Sequence, residues 1–137
     1  MHLKGKLSCV GVSDAGRIRE HNEDTIGTDA DIGLVVLADG MGGYSAGEVA
    51  SGIAVNVVSN GLMPELRSGR ELSKVDVQSG LTHAAMLLSQ QIAAANKGIY
   101  EAAQARPECA GMGTTIVAAV FFGNRVSIGH IGDSRCY

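Results

Sequence analysis

The stretch Leu34–Ala50, LVVLADGMGGYSAGEVA, decides the architecture. Leu34 to Ala38 is an unbroken apolar run, the length of a strand buried on both faces. Asp39-Gly40-Met41-Gly42-Gly43 then breaks it with a carboxylate and three glycines. Ser45 and Glu48 have the S-x-x-E spacing of a capping box, so a helix is predicted to start near Ser45. The order is strand, glycine-rich turn, helix.

Downstream, Val49, Ile53 and Val57 recur with helical spacing, and Ala50, Ala54 and Val58 do so more weakly. Gly61 and Pro64 predict the end of this helix. A second helical region is predicted from Val75 to Ala105, with Leu81, Leu88, Ile92, Ala95, Ile99 and Ala102 on one face. Gly80 and Gly98 weaken it, and Pro107 stops it. Thr114 to Phe122 is rich in β-branched and aromatic residues. Gly123-Asn124 is a two-residue hairpin signal, and Arg125 to Ile131 is the return strand. Gly132-Asp133-Ser134 is a further turn. Upstream, Leu7 to Ser13 predicts a short strand closed by Ser13-Asp14-Ala15-Gly16. Arg17 to Asp24 carries too many charges to be core. Strands and helices are grouped rather than alternating, which favours an α+β fold with mainly antiparallel pairing. No repeat or linker divides the chain, so residues 7–137 are expected to form one unit.

Glycine accounts for 19 of 137 residues, well above the usual roughly 7%, so close turns are expected. The net charge of −3 gives no reason to expect nucleic-acid or membrane binding. The longest apolar run, Ile116 to Phe122, is far below the roughly 20 residues that cross a bilayer. The first six residues lack the apolar core of a signal peptide. Cys9, Cys109 and Cys136 are widely spaced and form no C-x-x-C pair, which suits free thiols in a reducing cytoplasm.

Three clusters of acidic and small residues stand at element ends: Arg19-x-x-Asn22-Glu23-Asp24, Asp39-Gly40-Met41-Gly42-Gly43 and Gly132-Asp133-Ser134-Arg135. A carboxylate directly after a buried strand is costly unless paired or bound to a cation. Glycines beside it let the backbone approach an ion, and hard cations such as Mg²⁺ or Mn²⁺ take oxygen ligands. Asp-Gly is equally a common strand-end turn. On its own segment, Asp39 leaves both readings open. So do Asp133 in its turn and the adjacent carboxylates Glu23 and Asp24. Arg19 has the planar fork that grips phosphate, and it is also an ordinary surface arginine. No lysine follows the glycines as a Walker loop requires, and Ser45 stands where a dinucleotide fingerprint needs glycine.

Taken together, the segments SDAGRIREHNED (13–24), VLADGMGGYSAGEVAS (36–51), GMGTT (111–115) and IGHIGDSRCY (128–137) resemble the PPM/PP2C family of metal-dependent protein serine/threonine phosphatases, especially its bacterial members. The resemblance implies two antiparallel β-sheets packed as a sandwich with helices outside. It implies that Arg19 holds the substrate phosphate and that Asp39 bridges two metals. It implies that Gly40 gives a backbone carbonyl to one of these, and that Glu23 is a ligand or water-mediated ligand of the second, with Asp24 beside it in the outer shell. Asp133 matches an acidic residue associated with a third, weaker metal. Glu48 also falls in the motif, but its capping box already accounts for it. The implied cofactors are two Mn²⁺ or Mg²⁺ ions, with a third at Asp133. They activate a water that attacks phosphorus directly.

The implied substrates are proteins phosphorylated on serine or threonine, opposing a serine/threonine kinase in the cytoplasm. Met41 stands where some members carry histidine as a candidate general acid. Two further metal-binding aspartates of the family fall beyond Tyr137. The expectation is therefore an N-terminal portion of such a domain, incomplete at its C-terminus, whose first metal site lacks most of its protein ligands. The other expectation is an inactive fragment or pseudo-phosphatase that binds a phosphoprotein or partner without turnover.

Overall fold

Strand pairing fixes the frame of the molecule, a computed structural model that describes residues 3–137. The elements are β1 (Asp24–Asp29), β2 (Leu34–Met41), α1 (Ala46–Arg67), α2 (His83–Ala105), a 3-10 turn (Pro107–Cys109), β3 (Gly113–Thr114), β4 (Ile116–Phe122) and β5 (Arg125–Ile131). The sheet order is β1-β2-β4-β5, all antiparallel, and the two-residue β3 pairs with the end of β2. The α+β reading with antiparallel strands and flanking helices holds. Among the described residues, no helix is long and apolar enough to cross a membrane.

Both helices pack on the face of the sheet that carries Leu34, Val36 and Ala38 of β2. These are buried together with Ile116, Ala118 and Val120 of β4. The register places Leu34 opposite Val120 and Val36 opposite Ala118, so the period of two keeps these side chains on one face. On the other face Leu37, Val126 and Ile128 are exposed. The expectation that Leu34–Ala38 is buried on both sides is thus met on one side only by the described residues. Asp39, Gly40 and Met41 do not break the strand. They extend it, because Gly40 and Met41 find partners in Thr114 and Gly113.

Other expectations are corrected. Residues 7–13 form no strand, since a ladder needs a partner and Val10 and Val12 stay exposed. The polar segment ending at Asp24 instead runs into β1, which pairs with β2 along its whole length. The Ser45 side chain makes no capping bond, so the capping box does not form. Helix α1 continues past Gly61 and Pro64 to Arg67. At Gly61 the tip of the Gln91 side chain of α2 lies where a Cβ would stand. Buried Leu62 and partly buried Leu66 hold the last turns against the core despite the proline.

The inward face of α1 is also rotated. Ala50, Ala54, Val55, Val58 and Leu62 are buried, while Val49, Ile53 and Val57 flank them. Small residues against the sheet let the helix axis come close. Helix α2 starts at His83 rather than Val75. Residues 75–82 form a turn in which Val75 bridges Thr82, the Asp76 side chain accepts from the Ser79 N–H, and Gly80 is left-handed. The Thr82 hydroxyl caps the helix by accepting from Ala85 N–H at 3.2 Å. The three cysteines are free.

Candidate metal centre

The three acidic segments of the sequence meet at one end of the sheet. Asp24 opens β1 and stands directly opposite Asp39 of β2. The alternation that buries Ala38 and Gly40 turns both aspartates to the face away from the helices. Asp133 follows β5 in the next turn. The ionisation of Asp39 registers all of these neighbours. Its pKa is raised above the ordinary value, first by burial of its carboxyl. The charge of Asp24 and a hydrogen bond to it follow, and then the charge of Asp133, while Arg19 opposes the rise. Asp39 as a residue stays exposed. This limits what burial contributes and leaves the crowding of carboxylates as the chemically consequential cause.

Glu23 is built into the site differently. Its carbonyl accepts from the Gly40 N–H at 3.2 Å and from the Ser51 hydroxyl at 2.6 Å. Its side chain lies against Gly47 in the first turn of α1, where a Cβ would collide with the carboxylate. Glu23 Oε1 is buried without a hydrogen-bond partner. Gly40 is equally constrained, with the carbonyls of Gly47 and Glu23 in the space of its missing Cβ. Two glycines therefore let α1 seat its N-terminus on the end of β2, over the Glu23 carboxylate. A helix N-terminus favours an anion there.

The loop before β1 is pinned by Asn22, which donates to Ser13 at 2.7 Å and accepts from the Asp24 N–H at 3.1 Å. Arg19 is exposed and takes part in none of the ion pairs formed among the described residues. His130 lies on the open face of β5 with Val126 and Ile128, as the period of two requires, and is exposed. Tyr44, in the loop between β2 and α1, has a left-handed backbone with φ 55°.

The donor set suits a hard divalent cation. Asp24 and Asp133 set their charge against the Asp39 carboxyl, and Glu23 offers a buried oxygen with no partner. Among the described residues, no three histidine, cysteine, aspartate or glutamate side chains are gathered closely enough to hold a metal ion by themselves. Two residues that sequence reasoning passed over organise the site. Thr115 binds the backbone of Asp39, and Ser51 binds that of Glu23. Thr115 ends the GMGTT segment at 111–115, the one sequence signal that points to it.

Residues 16–137 match the family described as protein phosphatase 2C. The chain is 38% identical over 125 residues to the serine/threonine protein phosphatase PstP of Mycobacterium tuberculosis, covering 91% of this chain and 21% of that protein. It is 37% identical over 128 residues to the serine/threonine phosphatase stp of Listeria welshimeri, covering 91% and 47%. In structure it is similar to the catalytic domain of PstP in complex with two manganese ions, at a TM-score of 0.71 and 35% identity, covering 90% and 47%. The chain thus spans about half the length of the Listeria relative and a fifth of PstP.

Proposed function

The chain belongs to the protein phosphatase 2C family, and on that premise we propose that residues 7–137 form the N-terminal part of a metal-dependent protein serine/threonine phosphatase domain. The single observation that carries this is the meeting of Asp24, Asp39 and Asp133 within range of Arg19 at one end of the sheet. The names of the relatives and the manganese-bound structural neighbour support the same reading.

In this reading Asp39 would bridge two Mn²⁺ or Mg²⁺ ions, the Gly40 carbonyl would serve one of them, and Glu23 would be a ligand or water-mediated ligand of the second. Asp133 serves a third, and Asp24 orients the set. When bound, such ions lower the pKa of a shared water and offset the charge of the phosphoryl group. The work of the chain's own residues is to hold this geometry. Asp39 is gripped through both backbone polar groups by Thr115, so the backbone that carries its carboxylate is held in place before a ligand arrives. Arg19, free of protein partners among the described residues, is available to grip two phosphate oxygens and orient the phosphorus. The substrates are phosphoserine and phosphothreonine proteins, opposing a serine/threonine kinase. The free cysteines agree with a reducing, cytoplasmic setting.

The test is phosphate release from a phosphothreonine peptide with Mn²⁺, in the protein carrying this sequence and in its Asp39→Asn variant. The expected result is manganese-dependent release that falls about a hundredfold or more in the variant. Retention of the peptide without any release would replace turnover with phosphoprotein binding. Release by the variant at the wild-type rate would remove Asp39 from the chemistry.

A further inference from the structure

Thr115 occupies the one-residue gap between β3 and β4, and it is 4% exposed. A buried hydroxyl needs partners, and this one bridges two segments. Thr115 Oγ1 accepts from the Asp39 N–H at 3.1 Å, while the Thr115 N–H donates to the Asp39 carbonyl at 2.9 Å. The same Oγ1 is 2.7 Å from the Ser134 hydroxyl. A threonine hydroxyl has one proton and two lone pairs, so it satisfies both partners at once. The other arm of the side chain is also engaged. Gly132 has φ +98°, and a Cβ there would come within 2.8 Å of the Thr115 methyl. One side chain thus holds the backbone of Asp39 with its hydroxyl, reaches Ser134 on one side of Asp133 with the same oxygen, and sets its methyl beside Gly132 on the other.

We propose that Thr115 is a positioning residue that sets Asp133 relative to Asp39, so that divalent-cation binding at the Asp133 carboxylate depends on the Thr115–Ser134 hydroxyl pair. This rests on the reading of Asp39 and Asp133 as cation-holding carboxylates. Neither threonine nor serine need touch the ion. Their part is to fix the distance between two carboxylates that otherwise sit on separate strand ends. Thr115→Val keeps the branched shape and the contact with Gly132 but removes the hydroxyl. Thr115→Ser keeps the hydroxyl and removes the methyl. Ser134→Ala cuts only the arm toward Asp133.

The experiment is a Mn²⁺ titration by calorimetry of the wild type, these three variants, Asp39→Asn, Asp133→Asn and the Thr115→Val/Ser134→Ala double variant. Amide NMR shifts of the metal-free proteins accompany it, and they also report whether each variant folds. The expected result is an Asp133-dependent affinity about tenfold weaker in Thr115→Val and Ser134→Ala. The double variant should be no weaker than Thr115→Val, and Thr115→Ser should recover most of the loss. In the metal-free proteins, Ser134→Ala should shift the Asp39 amide only when Thr115 keeps its hydroxyl. Wild-type affinity in Thr115→Val, with Asp133→Asn impaired, would overturn the positioning role alone. Additive losses in the double variant would do the same. Wild-type binding in both Asp39→Asn and Asp133→Asn would overturn the carboxylate reading itself and the inference with it. If Thr115→Val fails to fold, wild-type affinity in the milder Ser134→Ala variant overturns the proposal.

Discussion

Asp24 and Asp39 face each other across the β1–β2 pair, and the Asp39 pKa is raised by burial of its carboxyl, then by the charge of Asp24 and a hydrogen bond to it and by the charge of Asp133, while Arg19 opposes the rise. Like charges directly opposite on antiparallel strands destabilise the pair. The folded protein therefore holds a proton on Asp39 more tightly than the unfolded chain does. Where a carboxyl has a raised pKa in the folded state, stability falls as pH rises from the ordinary carboxylate value through the raised one. In chelator, the melting temperature should decline over that window, and Asp24→Asn should flatten the decline. Mn²⁺ should raise the wild-type melting temperature at neutral pH by more than it raises that of the variant. An equal slope in both proteins would show that the two carboxylates do not interact.

Two glycines five residues apart in α1 should respond oppositely to alanine. Gly52 has nothing within 4 Å of the Cβ it lacks. Gly52→Ala should stabilise the helix by about 0.5–1 kcal/mol. At Gly47 the new methyl would strike the Glu23 carboxylate and press on the end of β2. Gly47→Ala should cost about 1–3 kcal/mol through overpacking, and it should weaken Mn²⁺ binding because Glu23 is displaced. Denaturant midpoints for the pair give the signs directly, and a stabilised Gly47→Ala would contradict the seating of α1 on Glu23.

How much of this was readable in advance depends on whether the determinant is local. The β4–β5 hairpin was legible because Gly123-Asn124 and the flanking β-branched residues are adjacent in sequence. The start of α2 was missed, since Gly80 and Thr82 specify a turn that competes with a helical apolar pattern. Strand β1 was missed because its sequence, DTIGTD, has no apolar run and owes its conformation to pairing with β2. Leu7–Ser13 erred the other way, having the pattern of a strand without a partner. The carboxylates and Arg19 stand in the segments that carry the family resemblance, and the structure brings Asp24, Asp133 and Arg19 within range of Asp39. Thr115 and Ser51 end two of the same segments, but what their hydroxyls bind was not legible, because their partners lie 76 and 28 residues away.

Tyr44 tests the loop that joins the Asp39 end of β2 to α1. It is the only non-glycine with positive φ among the described residues, and its side chain is 96% exposed. A left-handed backbone costs a Cβ-bearing residue about 1–2 kcal/mol, less for asparagine. Tyr44→Asn should therefore raise stability by up to about 1 kcal/mol, with no packing lost. A thermal melt of the two proteins measures it, and a drop in melting temperature would show that the tyrosine ring contributes a contact that outweighs the strain.

Ser51 carries the last test, of how β1 is tied to α1. It is fully buried, and its Oγ lies 2.6 Å from the Glu23 carbonyl, 2.8 Å from Thr25 Oγ1 and 3.3 Å from the Glu48 carbonyl. A carbonyl only accepts, so the serine proton points to Glu23 or Glu48, and the Thr25 hydroxyl must supply the proton between the two side chains. Ser51→Ala leaves the Thr25 hydroxyl without that acceptor and removes one of the two donors on the Glu23 carbonyl. It should cost about 1–3 kcal/mol. Thr25→Val should cost less, because Ser51 keeps its bond to Glu23. Once Thr25 has lost its hydroxyl, Ser51→Ala no longer strands it, so the double variant should be less destabilised than the sum of the singles, with an interaction energy of about 0.5–1 kcal/mol or more. Additive losses in denaturant unfolding would mean that the two hydroxyls act independently.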